Sequence, residues 1–305
     1  MRPRAASRSA RTALALSLVG ALMVAAAAGL AACGGSSGGS TPAPTATVTV
    51  TASPSASPSP SPSPSTAAPT TLSLYFLRGD KLGVAERRVP QTTMPATAAL
   101  KALLVGPTTA ERAAGLTSAV PRGTRLLGLS IDGTTARVDL SARFAAGGGS
   151  LSMQARVAEV VYTLTRFPTV KAVAFRLGGA IVETLGGEGL MLDAGQTRAD
   201  WRQFEPAIFV ESPGVGAVLT SPFVLRGSAS VFEGSFTALL VDESGRRIVR
   251  QQVQASQGAP GRGRFRTTIP YSTSTTQGTL IVYDQSMEDG SRQDEVRIPV
   301  TFAPD

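Results

Sequence analysis

Histidine is absent from these 305 residues, cysteine occurs once, and tryptophan occurs once. Without histidine there is no His-based triad, no imidazole general acid and no imidazole metal ligand. A single thiol makes neither an intrachain disulfide nor a thiolate metal set. Lysine supplies only three of the 29 basic residues, so arginine carries the positive charge. No G-x-x-x-x-G-K-[ST] phosphate loop is present. No G-x-S-x-G stands at a strand-to-helix turn. Carboxylates are what remains for catalysis, and the sequence points to no cofactor or metal.

The lone cysteine sits in LAACGG, residues 30–35, just after an apolar run. Arg2, Arg4, Arg8 and Arg11 precede that run, which spans Ala13 to Ala28 and carries no charge. This is the layout of a secretory leader. A spanning helix needs about 20 apolar residues, so an uncleaved anchor is the weaker alternative. Leu30-Ala31-Ala32-Cys33 resembles a bacterial lipobox. That resemblance implies cleavage before Cys33, acylation of its thiol by palmitate-type chains, and retention at the outer face of the cell membrane. Two acyl chains at ~0.8 kcal/mol per buried CH2 anchor stably where one does not. The four arginines leave with residues 1–32, and formal charge falls from +8 to +4. A charge that mild does not argue for nucleic acid.

Residues 34–70 contain no charge and no aromatic, and include the Ser-Pro repeat SASPSPSPSPS. Such a segment cannot bury enough apolar surface to offset its ordering entropy. Its Pro-rich half favours extended polyproline II at ~3.1 Å per residue, so the tether reaches on the order of 100 Å. We expect residues 33–70 to be a lipidated cysteine followed by a disordered spacer.

Patterning changes at Thr71. TLSLYFL alternates apolar and polar residues as a strand does, and VAERRVP reads as its partner. Arg78-Gly79-Asp80 lies between them. An adhesion reading of RGD is available, but Gly and Asp are ordinary turn residues and we read a turn. Pro95 opens a helix with Ala96, Leu100, Leu103 and Leu104 on one face, and Gly106-Pro107 should end it through a left-handed cap. TRLLGLSI and TTARVDL flank Asp132-Gly133, a strong hairpin signal. Met153, Val157, Val160, Val161 and Leu164 recur at helical spacing before Pro168. VKAVAFRL and AIVE follow as strands about Gly178-Gly179. Residues 71–195 thus predict an α+β domain, an antiparallel or mixed sheet with two packed helices.

From residue 207 no helical period remains. AIFV, PFVLRGSA, FTALLVD, RIVRQQVQ, GRFRTTIP, GTLIVYD and DEVRIPVTF are short strand candidates separated by turn residues. Seven such strands predict an all-β immunoglobulin-like sandwich over 207–305, with a linker at 196–206.

ATAALKALLVGPT, GLTSAVPRGTRLLGLSIDG, ARVDLS and VVYTLTRFPTV together resemble the GerMN domain of bacterial envelope and spore-germination lipoproteins. IFVESPGVGAVLTSPFVLRGSASVFEGSF, DQSMEDGS and VRIPVTF resemble the immunoglobulin-like domain associated with bacterial spore germination. The resemblance implies a non-enzymatic protein of germination or envelope maintenance. It brings no catalytic residue to carry across. Partners implied are the membrane, through the lipid, and peptidoglycan, an anionic wall polymer or an envelope protein complex.

Four features invite a sharper assignment. Asp139, out of phase with Val138 and Leu140, is a candidate catalytic carboxylate or a structural acceptor for nearby backbone. A hydrolase acting on wall glycan or peptide would need a second carboxylate at a defined distance. Asp284 to Gly290 faintly resembles a calcium loop, but it lacks the D-x-D-x-D core and reads better as a hairpin turn. Arg262, Arg264 and Arg266 alternate on one side of a strand, and Arg246, Arg247 and Arg250 on the strand before them could join. Those six are our candidate anionic-ligand residues, against the alternative of a solvated face that keeps the sandwich soluble. Trp201 and Phe204 fall at the domain junction, where packing is a better reading than glycan stacking.

Overall fold

The computed structural model describes residues 68–186, 189–192 and 195–303. The leader, Cys33 and nearly all of the tether lie outside the described residues. The chain opens with an antiparallel hairpin, β1 (Thr70–Arg78) and β2 (Lys81–Val89), in which Arg78 pairs with Lys81. Gly79-Asp80 is therefore the tight turn, and Gly79 takes φ +64°, which glycine adopts without a Cβ clash. Leu72, Leu74 and Phe76 are buried on one face of β1, and Tyr75 is buried on the other. A strand covered on both faces lies in the middle of a domain.

α1 (Pro95–Val105) starts at Pro95 and buries Ala96, Ala99, Leu100 and Leu103, with Leu104 half-buried. Gly106 ends it by donating its N–H to the Leu103 carbonyl at 2.9 Å. Its φ of +88° and ψ of 179° lie outside the left-handed helical region expected for the cap, although φ still demands glycine. A short α2 (Thr109–Ala113) follows, with a capping box between Thr108 and Glu111. The two-residue β3 (Leu116–Thr117) then adds to β1.

β4 (Leu126–Asp132) and β5 (Thr135–Leu140) form the hairpin expected at Asp132-Gly133. α3 (Ser150–Leu164) buries every residue from Ala155 to Leu164, as a helix enclosed on all sides must. Arg156 is among them, its charge satisfied by the carbonyls of Phe144, Ala146 and Gly147. β6 (Ala172–Leu177) returns parallel to β5, and β7 (Ala180–Ile181) folds back on it antiparallel. The result is a mixed sheet ordered β4-β5-β6-β7 beside the sheet β2-β1-β3. A small pair, β8 (Thr184–Leu185) and β9 (Leu190–Met191), closes the domain.

The remainder is all β. β10 (Ile208–Ser212), β12 (Phe223–Ala229) and β15 (Gly263–Ile269) form one sheet. The other is ordered β11 (Val218–Leu219), β17 (Arg292–Phe302), β16 (Gln277–Gln285), β13 (Ser235–Asp242) and β14 (Arg247–Gln254). Phe223, Leu225 and Phe265 from the first sheet bury against Phe236, Leu240, Leu280 and Val282 from the second. Phe236 and Phe265 meet edge to face at 4.8 Å. Each of the seven strand segments read from the sequence is a strand here; β11 is the addition, too short to carry a period. A mixed α+β domain followed by an immunoglobulin-like sandwich is thus the fold that patterning predicts.

Candidate functional site

The two domains share one continuous apolar core. Phe209, on the outer face of the three-stranded sheet, lies 6.0 Å from the Tyr75 ring and 5.9 Å from the Tyr162 ring. Those tyrosines come from β1 and α3, and their rings are 5.6 Å apart. A 3-10 segment, Arg198–Phe204, runs beside them and buries Trp201 and Phe204. At its start Thr197 donates both its N–H and its hydroxyl to the Asp200 carboxylate, which fixes where Arg198 emerges.

Arg198 is the keystone of this joint. Its guanidinium stands 5.1 Å from the Tyr75 centroid and 4.7 Å from the Tyr162 centroid. It donates to Thr165 Oγ1 at 2.8 Å, to the Tyr75 hydroxyl at 3.1 Å, to the Tyr162 carbonyl at 3.2 Å, and to Glu211. The Tyr75 hydroxyl in turn donates to Glu211 at 3.0 Å. Burial pushes the Glu211 carboxyl up, but the charge and hydrogen bond of Arg198 outweigh it and hold the group below its ordinary range. Burial pushes the hydroxyls of Tyr75 and Tyr162 well above theirs, so both stay protonated donors.

Glu205 occupies a parallel position. It accepts from the Tyr162 hydroxyl at 2.7 Å and pairs with Arg262 Nε at 3.0 Å. Arg262 also donates to the Pro206 carbonyl at 2.8 Å and to Ser228 Oγ at 3.2 Å. A second seam lies at β2, where Val84 and Glu86 exchange backbone hydrogen bonds with Val215 at 2.8 Å each. The Glu86 carboxylate accepts from Ser212 Oγ and the Gly214 N–H, and Lys81 donates to the Gln203 carbonyl at 2.8 Å.

Between the domains these elements leave a cleft of about 780 Å³. Arg166, Lys171, Arg198, Arg202, Arg262 and Arg264 line it, with Glu205 and Glu211 as its acids. Both acids are held by arginine, as described. Among the described residues the side chains of Arg166, Lys171, Arg202 and Arg264 have no ion-pair or hydrogen-bond partner, and Arg166 Nε is out of solvent without an acceptor. The arrangement can attract and hold an anion. It is poorly suited to acid catalysis by Glu211, whose proton is already lost.

The arginines singled out from alternation are dispersed by the fold. Arg262 and Arg264 reach the cleft. Arg266 is exposed on the same sheet, cross-strand from Arg226. Arg246 is exposed at the β13–β14 turn and pairs with Asp242 at 3.1 Å. Arg247 and Arg250 lie exposed on β14, an edge strand of the opposite sheet. Sequence reasoning did not find Arg166, Lys171, Arg198 or Arg202. The one available signal was the charge density of RADWRQFE at the predicted junction. Asp139 accepts the Gly179 N–H at 3.0 Å and thereby braces the β6–β7 turn, a structural role. Asp284 to Gly290 joins β16 to β17, and Asp289 accepts from the Ser291 N–H. Among the described residues no three His, Cys, Asp or Glu side chains converge.

The fold defines a class: a mixed α+β module joined to an immunoglobulin-like sandwich. Residues 73–183 match the Germane family, described as sporulation and spore germination. Residues 207–291 match Gmad2, described as an immunoglobulin-like domain of bacterial spore germination. Each of the two modules thus matches a family model associated with bacterial spore germination. No curated protein matches it. Among solved structures, the first GerMN domain of the sporulation protein GerM from Bacillus subtilis is 23% identical with a TM-score of 0.39, covering 43% of this chain and 99% of that one. The tandem GerMN domains of the same protein are 18% identical with a TM-score of 0.40, covering 68% of this chain and 63% of that one.

Proposed function

We propose that this chain is a non-enzymatic binding or scaffolding protein of the cell envelope, serving spore germination or envelope maintenance. Acyl chains on Cys33 would hold it at the outer face of the membrane, and residues 34–70 would space the paired domains from the lipid. The observation that carries the reading is the cleft between the domains. Its acids are neutralised by Arg198 and Arg262, and its remaining charge is basic. A surface with surplus positive charge and no free carboxylate suits capture of an anionic envelope component better than acid–base chemistry.

A second reading, a carboxylate-dependent wall hydrolase, gains from one observation: Glu205 and Glu211 line the same cleft. It is weakened at Glu211, whose carboxyl Arg198 holds below its ordinary range where a general acid needs its pKa raised. The experiment incubates the full-length chain with purified cell-wall sacculi. Retention on sacculi without release of soluble muropeptides is expected. Release that disappears in Glu205→Gln and Glu211→Gln would establish the hydrolase instead. Intact-mass measurement tests the anchor: a diacylated Cys33 is expected, and an intact leader or free thiol there would refute it.

A further inference from the structure

We infer that the interdomain cleft binds its ligand through at least two phosphate groups. This rests on the reading of the chain as a binding protein and names the chemistry of what it binds. Six basic and two acidic residues line the cleft, and the wall itself neutralises both acids. A surplus of four positive charges remains, on Arg166, Lys171, Arg202 and Arg264. Arg166 carries the most information. Its Nε is removed from water and has no acceptor, a condition native proteins rarely leave in place. The buried Nε leaves the guanidinium to act through its terminal nitrogens, and an oxygen-rich ligand in the cleft supplies acceptors to these.

The lining selects for charge rather than for apolar or stacked contacts. Trp201, Phe204, Tyr75 and Tyr162 are buried in the joint, and Phe209, the one aromatic residue of the lining, is itself buried. A phosphate monoester carries about −1.5 to −2 at neutral pH and a phosphodiester about −1, so about two of the first or about four of the second match the surplus. Guanidinium forks also fit phosphate oxygens two at a time. The volume, about 780 Å³, lies within the range of small-molecule sites and far exceeds a single phosphate. The joint built on Arg198 and Glu86 fixes the spacing of these charges in advance, which lowers the ordering cost of binding.

The test is calorimetric titration of the full-length chain, in neutral detergent at low salt, with pyrophosphate. Saturable binding is expected, weakened at least tenfold in Arg202→Ser/Arg264→Ser. Both residues are exposed, so folding should survive, and an unchanged melting curve checks it. Arg122→Ser/Arg125→Ser, exposed and outside the cleft, should bind as the parent does. Citrate, which offers similar charge on carboxylates, should bind at least tenfold more weakly. Competition then assigns the source. Displacement by a glycerol-phosphate oligomer points to a wall polymer, displacement by phosphatidylglycerol vesicles points to lipid headgroups, and displacement by neither points to a small soluble phosphate. Absent pyrophosphate binding, equal losses in the two double variants, or citrate binding as tight as pyrophosphate would overturn the inference. A chain that still holds sacculi but ignores pyrophosphate sinks this inference alone. A chain that cleaves sacculi sinks the binding-protein reading instead.

Discussion

Glu159, fully buried in the core of the first domain, and Glu211, partly buried in the joint, are both carboxylates shielded from water, and they titrate in opposite directions. Glu159 accepts from the Ser118 hydroxyl and the Ala119 N–H, each at 2.6 Å. Burial pushes its carboxyl up to about 8; those hydrogen bonds and the charge of Arg156 offset only part of the shift. Arg156 is close in sequence but gives its guanidinium to backbone carbonyls. Glu211 has Arg198 in direct contact and stays ionised. Burial sets the direction, and a guanidinium in contact reverses it. Arg198 and Arg202 repeat the contrast four residues apart on one 3-10 segment. The first is wedged between two tyrosine rings, and the second points into the open cleft unpaired.

Arg198→Ala removes the guanidinium that separates Glu211 from Glu159. It leaves the Tyr75 hydroxyl as the remaining donor to Glu211 there, and a largely buried charge without its counter-ion costs about 3 kcal/mol. Urea or thermal unfolding should show that loss at neutral pH. Because the folded Glu211 pKa is depressed, its contribution is present above the ordinary carboxylate pKa and fades as pH falls through the folded value. Arg198→Ala should therefore flatten the acid limb of the stability profile. A neutral-pH loss under ~1 kcal/mol would show that the joint does not depend on this pair.

Glu159 predicts an effect of opposite sign with pH. Its folded pKa is raised from 4.5 to about 8, so its contribution is full below 4.5 and declines as pH rises to about 8. Melting temperature should fall across that window. Glu159→Gln should remove the slope, since its amide can donate to Ser118 Oγ while its carbonyl accepts the Ala119 N–H. A slope that survives the substitution belongs to another group. The smallest effect is expected from Arg202→Ser. With no partner to lose, it should change stability by less than ~0.5 kcal/mol in the same melts. A larger loss would mean that Arg202 helps to hold the joint.

Much of the fold was legible because local rules and tertiary structure agree. Alternation located β1, β2, β5, β6 and the sandwich strands. Asp132-Gly133 gave a hairpin, and Pro95 with Gly106 bracketed α1. The capping box Thr108-x-x-Glu111 was also in the sequence, but only five helical residues follow it, too few for a period to emerge. β7 was legible in AIVE because the Gly178-Gly179 turn announces it, but β3, β8, β9 and β11, also of two residues each, have no such neighbour, and nothing in two residues distinguishes a strand from a loop. The site was far less legible. Alternation correctly put Arg264 and Arg266 on one side of β15, yet that face meets the first domain only near Arg264, and β14 belongs to the opposite sheet.

Local patterning by itself determined the class of each half, the course of most strands and helices, and the turn at Arg78-Gly79-Asp80, because backbone preference and burial period act over a few neighbouring residues. Only the tertiary structure decided that Tyr75, Tyr162, Arg198, Phe209 and Glu211 converge from separate elements, and which of the cleft's arginines keep their charge free. Pairing across more than a hundred residues, as between Tyr75 and Glu211, leaves no mark on the spacing of either neighbourhood.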